Sequence, residues 1–471
     1  MHRRSASCAL ALFFAAGCHT SVAPASNLCT DSAASTYANP PALPAHDGDL
    51  VRCAHDGTLA ATDVDRLARS AGYVGSTLSS GFSLIRLSYR TERGTSPARA
   101  GFSSAVALIP DTPRAATLPV VVVAHGTVGE AATCPPSQEV PTADGTYLAE
   151  LGYPLVGAGY AVILPDYAGF AGFGAAHNPP SGYHAATDEA YSTLDAARAL
   201  RHLEPALFSD EIILVGHSQG GHAVLSALAL ESTHDAGGTL AGVVAYAPSW
   251  FSMRSFGAIL AVPELYPLST QADTAAASVW YHYSHAELLD GPGHGVDLFA
   301  ADKRDAIRSF FDGTCDPDES QLAALGTSAN DLFDPAFISA VADPAAIDVD
   351  CASDVCTTWM ARYAADRPHL TAGATKVPVL VVYGDQDEWI PSDFETCGFD
   401  RLTSDGADDT ICIVAGATHD GAVGDRADYV NGWIASLTLG AATPAACGPG
   451  REALVDDTGA LITCANSPPN D

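Results

Sequence analysis

Basic residues are scarce in this chain of 471: 22 Lys and Arg stand against 55 Asp and Glu, a formal net charge of −33. A phosphate backbone needs positive charge, so this balance argues against a nucleic-acid partner. It equally disfavours a purely electrostatic hold on an anionic membrane. The acids read as a repulsive, solvated surface. Stretches such as Asp405-Gly406-Ala407-Asp408-Asp409 lack the ordered ligand spacing of a calcium loop. Thiolate pairs of the C-x-x-C kind are missing, which weakens a zinc reading. Neither a Walker lysine nor the dinucleotide glycine spacing occurs. No cofactor and no metal are therefore expected. Beyond the first residues, no segment reads as a transmembrane helix. Apolar residues make up 47% of the chain, which excludes global disorder. The length suffices for a large core plus an insertion, or for two domains.

The amino terminus has the pattern of an export signal. His2, Arg3 and Arg4 precede an apolar run from Ala9 to Ala16, too short to span a bilayer. Ala15-Ala16-Gly17-Cys18 is similar to a bacterial lipobox, in which Cys18 would carry a lipid anchor. Cleavage near Ala23 is the alternative. The chain is thus expected to be secreted, periplasmic or lipid-anchored to a bacterial envelope. Twelve cysteines fit that compartment. Setting aside Cys8 and Cys18 leaves Cys29, Cys53, Cys134, Cys315, Cys351, Cys356, Cys397, Cys412, Cys447 and Cys464, an even set that allows up to five disulfides. Cys351 and Cys356 can close a local loop.

Residues 24–48 are rich in Pro, Ala and Ser and read as a tether or loosely packed arm. Phe82 to Tyr89 and Gly101 to Ile109 read as a hairpin around Arg93-Gly94-Thr95-Ser96-Pro97. Residues 118–124 form a continuous apolar run, as a strand buried on both faces requires. Similar strands are expected at Ala161 to Leu164, Glu211 to Val215, Gly242 to Tyr246, Val379 to Tyr383 and Ile411 to Val414. Helical periodicity covers Asp188 to Leu203 and Ser218 to Leu230. This alternation builds a mostly parallel sheet through right-handed crossovers. About 130 residues from Pro248 to Thr375 interrupt it. They carry Trp250, Phe251, Tyr266, Trp280, Tyr281 and Trp359, and would lie beyond the carboxyl ends of the strands, where open sheets bind ligands.

The strongest local signal is Gly216-His217-Ser218-Gln219-Gly220-Gly221-His222, entered from an apolar strand and left into a helix. Glycines allow the sharp turn that lifts Ser218 Oγ out of the core. Ser218 is the candidate nucleophile. His419, on the loop after the last apolar strand, is the candidate base. His217 and His222 are its competitors, the first shaping the turn and the second packed beneath it. On spacing alone, either Asp385 or Asp387 can supply the carboxylate that orients the imidazole. The amide of Gln219 is one candidate oxyanion donor. The other comes from His125-Gly126-Thr127-Val128-Gly129, with Thr127 preferred and Val128 as the alternative. Asp166 precedes the nucleophile and reads as structural.

These residues resemble the α/β-hydrolase superfamily, and more narrowly its secretory lipase branch, the fungal lipase A-like group. The parallels are His125-Gly126-Thr127 with Cys134-Pro135-Pro136-Ser137, Pro165-Asp166-Tyr167 with Gly169, Gly216 to Gly221, Gly384 to Asp387, and His419. The likeness spans about residues 80–435. Phe170 stands where the branch commonly has leucine, and the Gly-His-Ser-Gln-Gly core is shared with many esterases. The resemblance implies an α/β fold with a mostly parallel central sheet and an inserted cap. It implies Asp387 as the acid, in the order Ser218, Asp387, His419. The expected organisation is a leader at 1–23, an N-terminal arm at 24–80, a core at 81–247 and 376–438, a cap at 248–375, and a disulfide-pinned tail at 439–471. The implied activity is hydrolysis of a small-molecule or lipid ester through an acyl-enzyme. The alternatives are peptidase or amidase action on the same triad, and a non-catalytic surface protein. Oligomeric state is left open.

Overall fold

The computed structural model describes residues 29–172, 178–249, 271–315, 319–326, 328–341, 351–456 and 458–464. The leader with Cys18, and Trp250, Phe251 and Tyr266 of the insertion, lie outside the described residues. Among the described residues no helix is long and apolar enough to cross a membrane.

Nine strands among the described residues join in one sheet. They are β1 (Leu50–Leu59), β2 (Phe82–Arg93), β3 (Arg99–Pro110), β4 (Leu118–Ala124), β5 (Val162–Ala168), β6 (Phe208–His217), β7 (Thr239–Tyr246), β8 (Val379–Gly384) and β9 (Asp409–Val414). Their spatial order is β1-β2-β3-β5-β4-β6-β7-β8-β9. The β1, β2, β3 and β5 pairings are antiparallel, and every pairing from β5 through β4 to β9 is parallel. The chain leaves β4 for β5 on one side and returns to β6 on the other. Open α/β sheets bind ligands at such a reversal, beyond the carboxyl ends of the flanking strands, here β4 and β6.

Helices cover both faces. We label them α1 (Ala61–Ser70), α2 (Ala186–Leu203), α3 (Gln219–Leu230), α4 (Gln271–His285), α5 (Arg304–Gly313), α6 (Asp354–Ala365), α7 (Ser392–Asp405) and α8 (Gly421–Thr438). Ala190, Leu194, Ala197 and Leu200 recur at three and four residues along α2 and pack with Val224 and Leu228 of α3 against one face of the sheet. Val64 and Leu67 of α1 and Val430 and Ile434 of α8 cover the other. Between β7 and β8, α4, α5 and α6 close around a core of their own, with Trp280, Tyr281, Phe311, Trp359 and Tyr363. The described part of the Pro248 to Thr375 interruption thus holds a separate aromatic cluster.

A strand begins directly after the Pro-, Ala- and Ser-rich residues, within the expected 24–80 segment. Leu50–Leu59 is the edge strand of the sheet, paired with β2, and Cys29–Cys53 staples the preceding segment to it. The strand is illegible locally because Arg52, His55, Asp56 and Gly57 interrupt its apolar alternation, and a register shift falls between His55 and Thr58. All ten expected cysteines pair: Cys29–Cys53, Cys134–Cys315, Cys351–Cys356, Cys397–Cys464 and Cys412–Cys447. The last two pin the C-terminal tail to α7 and β9.

One buried ion pair ties the hairpin to α2. Arg93 Nε and Nη2 each donate at 2.8 Å to Asp188, and both side chains are only 1% exposed. Arg93 also donates to the carbonyls of Pro179 and Pro180. The bidentate geometry and the added acceptors satisfy charges that would otherwise be costly to bury.

Several buried or half-buried carboxyls lack such a partner, and they contribute to the pH dependence of stability. Burial pushes Asp166 up to about 6, Glu139 up to about 7 and Glu150 up to about 8. Burial also holds Glu130 and Glu395 well above the usual range. Both Glu395 oxygens and Glu150 Oε1 lack hydrogen-bond partners among the described residues. An acid raised in the folded state stabilises below its unfolded pKa and loses that contribution as pH rises through its folded pKa. A tenfold change in an acid's dissociation constant between the two states corresponds to about 1.4 kcal/mol. The buried histidines His125, His184, His217 and His282, held below their ordinary range, act in the opposite sense below about pH 6.5, so the carboxyls dominate only above it. Urea unfolding is therefore expected to give a stability at pH 7 that exceeds that at pH 8.5 by about 1–2 kcal/mol or more. A stability that rises over this interval would contradict the assignment.

Candidate active site

Ser218 sits between β6 and α3 with φ +55° and ψ −117°, a region L side chains rarely occupy. Such a residue is held by its surroundings rather than by its own preference. The flanking glycines show why. A Cβ on Gly216 would run into the Gly220 carbonyl, and one on Gly220 into the Ala124 carbonyl at the end of β4. A Cβ on Gly221 would lie 2.7 Å from Pro248 Cα. Strand, turn and helix can approach this closely only without side chains. Ser218 N donates to the Tyr246 carbonyl at 2.9 Å and fixes the turn on β7.

The loops after β8 and β9 meet at the same end of the sheet. His419 Nδ1 bonds to Asp387 Oδ2 at 2.7 Å. The Asp387 side chain is fully buried, and its Oδ1 accepts from the amides of Trp389 and Ile390, both at 2.8 Å. This carboxylate therefore has a fixed direction toward the imidazole. Asp385 serves as a brace instead. Its Oδ1 accepts from Gly416 N at 2.7 Å and ties the β8 loop to the β9 loop. The His419 amide donates to Glu388.

His217 lies against His419, with ring centroids 4.6 Å apart, and its Nε2 is 3.3 Å from the His419 carbonyl. Burial, with the neighbouring His419, holds the His217 ring well below the usual histidine range, so it is neutral. It bridges the turn and the His419 loop. Ser218 Oγ has Ser249 Oγ as its side-chain partner, at 3.5 Å. Among the described residues no hydrogen bond joins Ser218 Oγ to His419.

The His125–Gly129 loop reaches the turn from the other side. A Cβ on Gly126 would lie 3.4 Å from Ser218 Cβ and 3.3 Å from the His217 carbonyl. Thr127 Oγ1 bonds with Tyr183 OH at 2.8 Å, and Tyr147 OH donates to the Thr127 carbonyl. The Thr127 amide has no hydrogen-bond partner among the described residues. Gln219 N opens α3, where first-turn amides have no partner within the helix. Asp166 is buried and accepts from Ser104 Oγ and from the amide and hydroxyl of Ser137. It fastens the Cys134–Ser137 segment and stands apart from His419.

His222 is one turn beyond Ser218. Its Nδ1 lies 2.9 Å from Glu189 Oε2 and its Nε2 2.6 Å from the Asp366 carbonyl. His184, Glu189 and His222 lie close enough to share an ion. Both ring nitrogens of His222 already serve hydrogen bonds, however, so the set does not fit a metal without breaking them. Sequence reading missed Ser249, Glu189 and Asp366. Glu189 is 30 and 33 residues from its partners Gln219 and His222, and no local pattern marks it.

The sequence family described as alpha/beta hydrolase fold matches residues 119–260. No curated protein matches the chain. A putative hydrolase from Legionella pneumophila superposes with a TM-score of 0.66 at 17% identity, covering 83% of this chain and 99% of that one. The rice cell wall degrading esterase LipA from Xanthomonas oryzae gives 0.60 at 16% identity, covering 84% and 99%. Candida antarctica lipase A in its closed state gives 0.60 at 16% identity, covering 86% and 85%. This chain has the α/β-hydrolase fold. Within that fold, the strand–turn–helix at Ser218 lies on the matched family segment, and the Asp387 and His419 loops lie beyond it.

Proposed function

We propose that the chain is an exported serine hydrolase that cleaves carboxylic esters through Ser218, His419 and Asp387. The observation that supports this reading is the Asp387–His419 pair on the loops after β8 and β9, with the His419 ring against His217 of the strained turn that bears Ser218. In the proposed cycle Ser218 Oγ leaves Ser249 and turns to His419 Nε2. Catalytic hydrogen bonds are commonly loose without substrate and tighten in the complex. His419 takes the Ser218 proton as Oγ attacks the ester carbonyl. Asp387 holds the tautomer with Nδ1–H and stabilises the imidazolium. The amides of Gln219 and Thr127 receive the oxyanion. The alcohol leaves with the proton from His419, and water then hydrolyses the acyl-enzyme.

Ester cleavage is preferred to amide cleavage because no anchor for a peptide terminus stands out among the described residues. Two of the structural neighbours are named as an esterase and a lipase. The helices between β7 and β8 serve as a cap over the carboxyl ends of the strands. Five disulfides and the leader pattern at 1–23 support export, with Cys18 as a candidate lipid anchor. A series of p-nitrophenyl esters of increasing acyl length, run beside peptide p-nitroanilides, tests the class. We expect the esters to be turned over at least a hundredfold faster than the anilides. Equal or faster anilide turnover would favour the amidase reading instead.

A further inference from the structure

Glu189 is fully buried in the first turn of α2 and plays no part in the proposed cycle, yet its carboxylate touches the turn that does. Its Oε1 accepts from Gln219 Nε2 at 2.7 Å and from the His184 amide at 2.9 Å. Its Oε2 faces His222 Nδ1. The other His222 nitrogen faces a carbonyl, which only accepts, so Nε2 carries a proton and donates to Asp366 O. That carbonyl belongs to the helical insertion, immediately after α6. The Asp366 side chain continues the chain of bonds: Oδ1 accepts from Ala186 N at 2.9 Å, and Oδ2 accepts from Tyr281 OH and His285 Nε2. On the other flank, Ser284 of the insertion accepts from Tyr183 N at 3.0 Å, and Tyr183 OH holds Thr127 Oγ1. The two residues that bear the candidate oxyanion donors are thus each fastened, through one intermediate segment, to the same inserted helices.

We infer that Glu189 is a positioning residue that orients Gln219 at the oxyanion site and, through His222 and Asp366, makes that orientation depend on the docked insertion. This rests on the proposed roles of Ser218 and Gln219. A group held this way has no contact with the ground-state substrate. Its loss lowers kcat and leaves KM nearly unchanged, the pattern of an interaction made in the transition state. Buried polar networks also act as units, so removing either end of the Glu189–Gln219 bond should have the same consequence.

The test is a double-substitution cycle on the full chain with a soluble p-nitrophenyl ester. Gln219→Ala and Glu189→Ala are each expected to lower kcat by about 10- to 100-fold, below the loss of a whole oxyanion donor, with KM within threefold. The double variant is expected to lose no more than the worse single one. Glu189→Gln keeps an oxygen acceptor for Gln219 and can donate to a neutral His222, and is expected to recover kcat to within about threefold of the parent. Additive losses in the cycle, or a Gln219→Ala variant with unchanged kcat, would overturn the inference. The second result needs only a substitution at the first helical position, so it decides the matter even if Glu189→Ala fails to fold. Labelling of Ser218 by a fluorophosphonate separates the two readings. A labelled Ser218 with an additive cycle sinks the positioning role alone, whereas an unlabelled Ser218 in active protein sinks the underlying mechanism and this inference with it.

Discussion

Ser218→Ala is expected to lower kcat on an activated ester by about 10⁶-fold while the protein stays folded. Among the described residues no other hydroxyl can take over without rebuilding the turn. Ser249 Oγ is 3.5 Å from Ser218 Oγ, but it lies at the exit of β7 and lacks the left-handed backbone that lifts Ser218. Residual rate above the uncatalysed reaction would come from the oxyanion donors alone. Removing a side chain as small as this hydroxyl relieves no packing and leaves no large void, so circular dichroism and thermal unfolding should match the parent. Initial-rate kinetics against a mock purification provides the check, and activity within tenfold of the parent would reject the nucleophile.

Asp387→Asn is expected to cost about 10⁴-fold in kcat. The carboxylate accepts at both oxygens: Oδ1 from the Trp389 and Ile390 amides, Oδ2 from His419 Nδ1. An asparagine there would keep its oxygen on the two backbone amides and turn its NH₂ toward the ring. The imidazole would then have to accept at Nδ1 and carry its proton on Nε2, so it could not take one from Ser218. Asp385→Asn serves as the control. That side chain receives the Gly416 amide, which an amide oxygen also accepts, and kcat should fall less than tenfold. Parallel kcat measurements on the two variants decide between the carboxylates. A larger loss at position 385 than at 387 would reverse the assignment.

Much of the fold and the Ser218 turn is legible in the chain itself. The parallel strands are buried on both faces, so Leu118–Ala124 reads as an unbroken apolar run with the bounds the strand has in the fold. The Ser218 turn is equally plain, because its glycines are required by close backbone approaches around the turn itself. The choice between Asp385 and Asp387 is not local. Both follow β8 directly, and only the meeting of two loops, with Asp387 and His419 32 residues apart, separates the His419 partner from the loop brace. The edge strand β1 is hidden for a different reason. An edge needs no apolar alternation when one neighbour and a disulfide hold it. The Glu189 network is the least visible, since its energetics come from burial, and a Glu beside Asp188 at a helix start is ordinary in sequence.

Covalent capture of the nucleophile by an active-site-directed phosphorus reagent tests the Ser218–His419 mechanism most directly. The intact protein is incubated with a fluorophosphonate and mapped by peptide mass spectrometry, beside a His419→Ala variant. One adduct is expected, on Ser218, formed in step with loss of esterase activity and at least a thousandfold more slowly without the imidazole. Inactivation that leaves Ser218 unmodified, or labelling that proceeds as fast without His419, would contradict it.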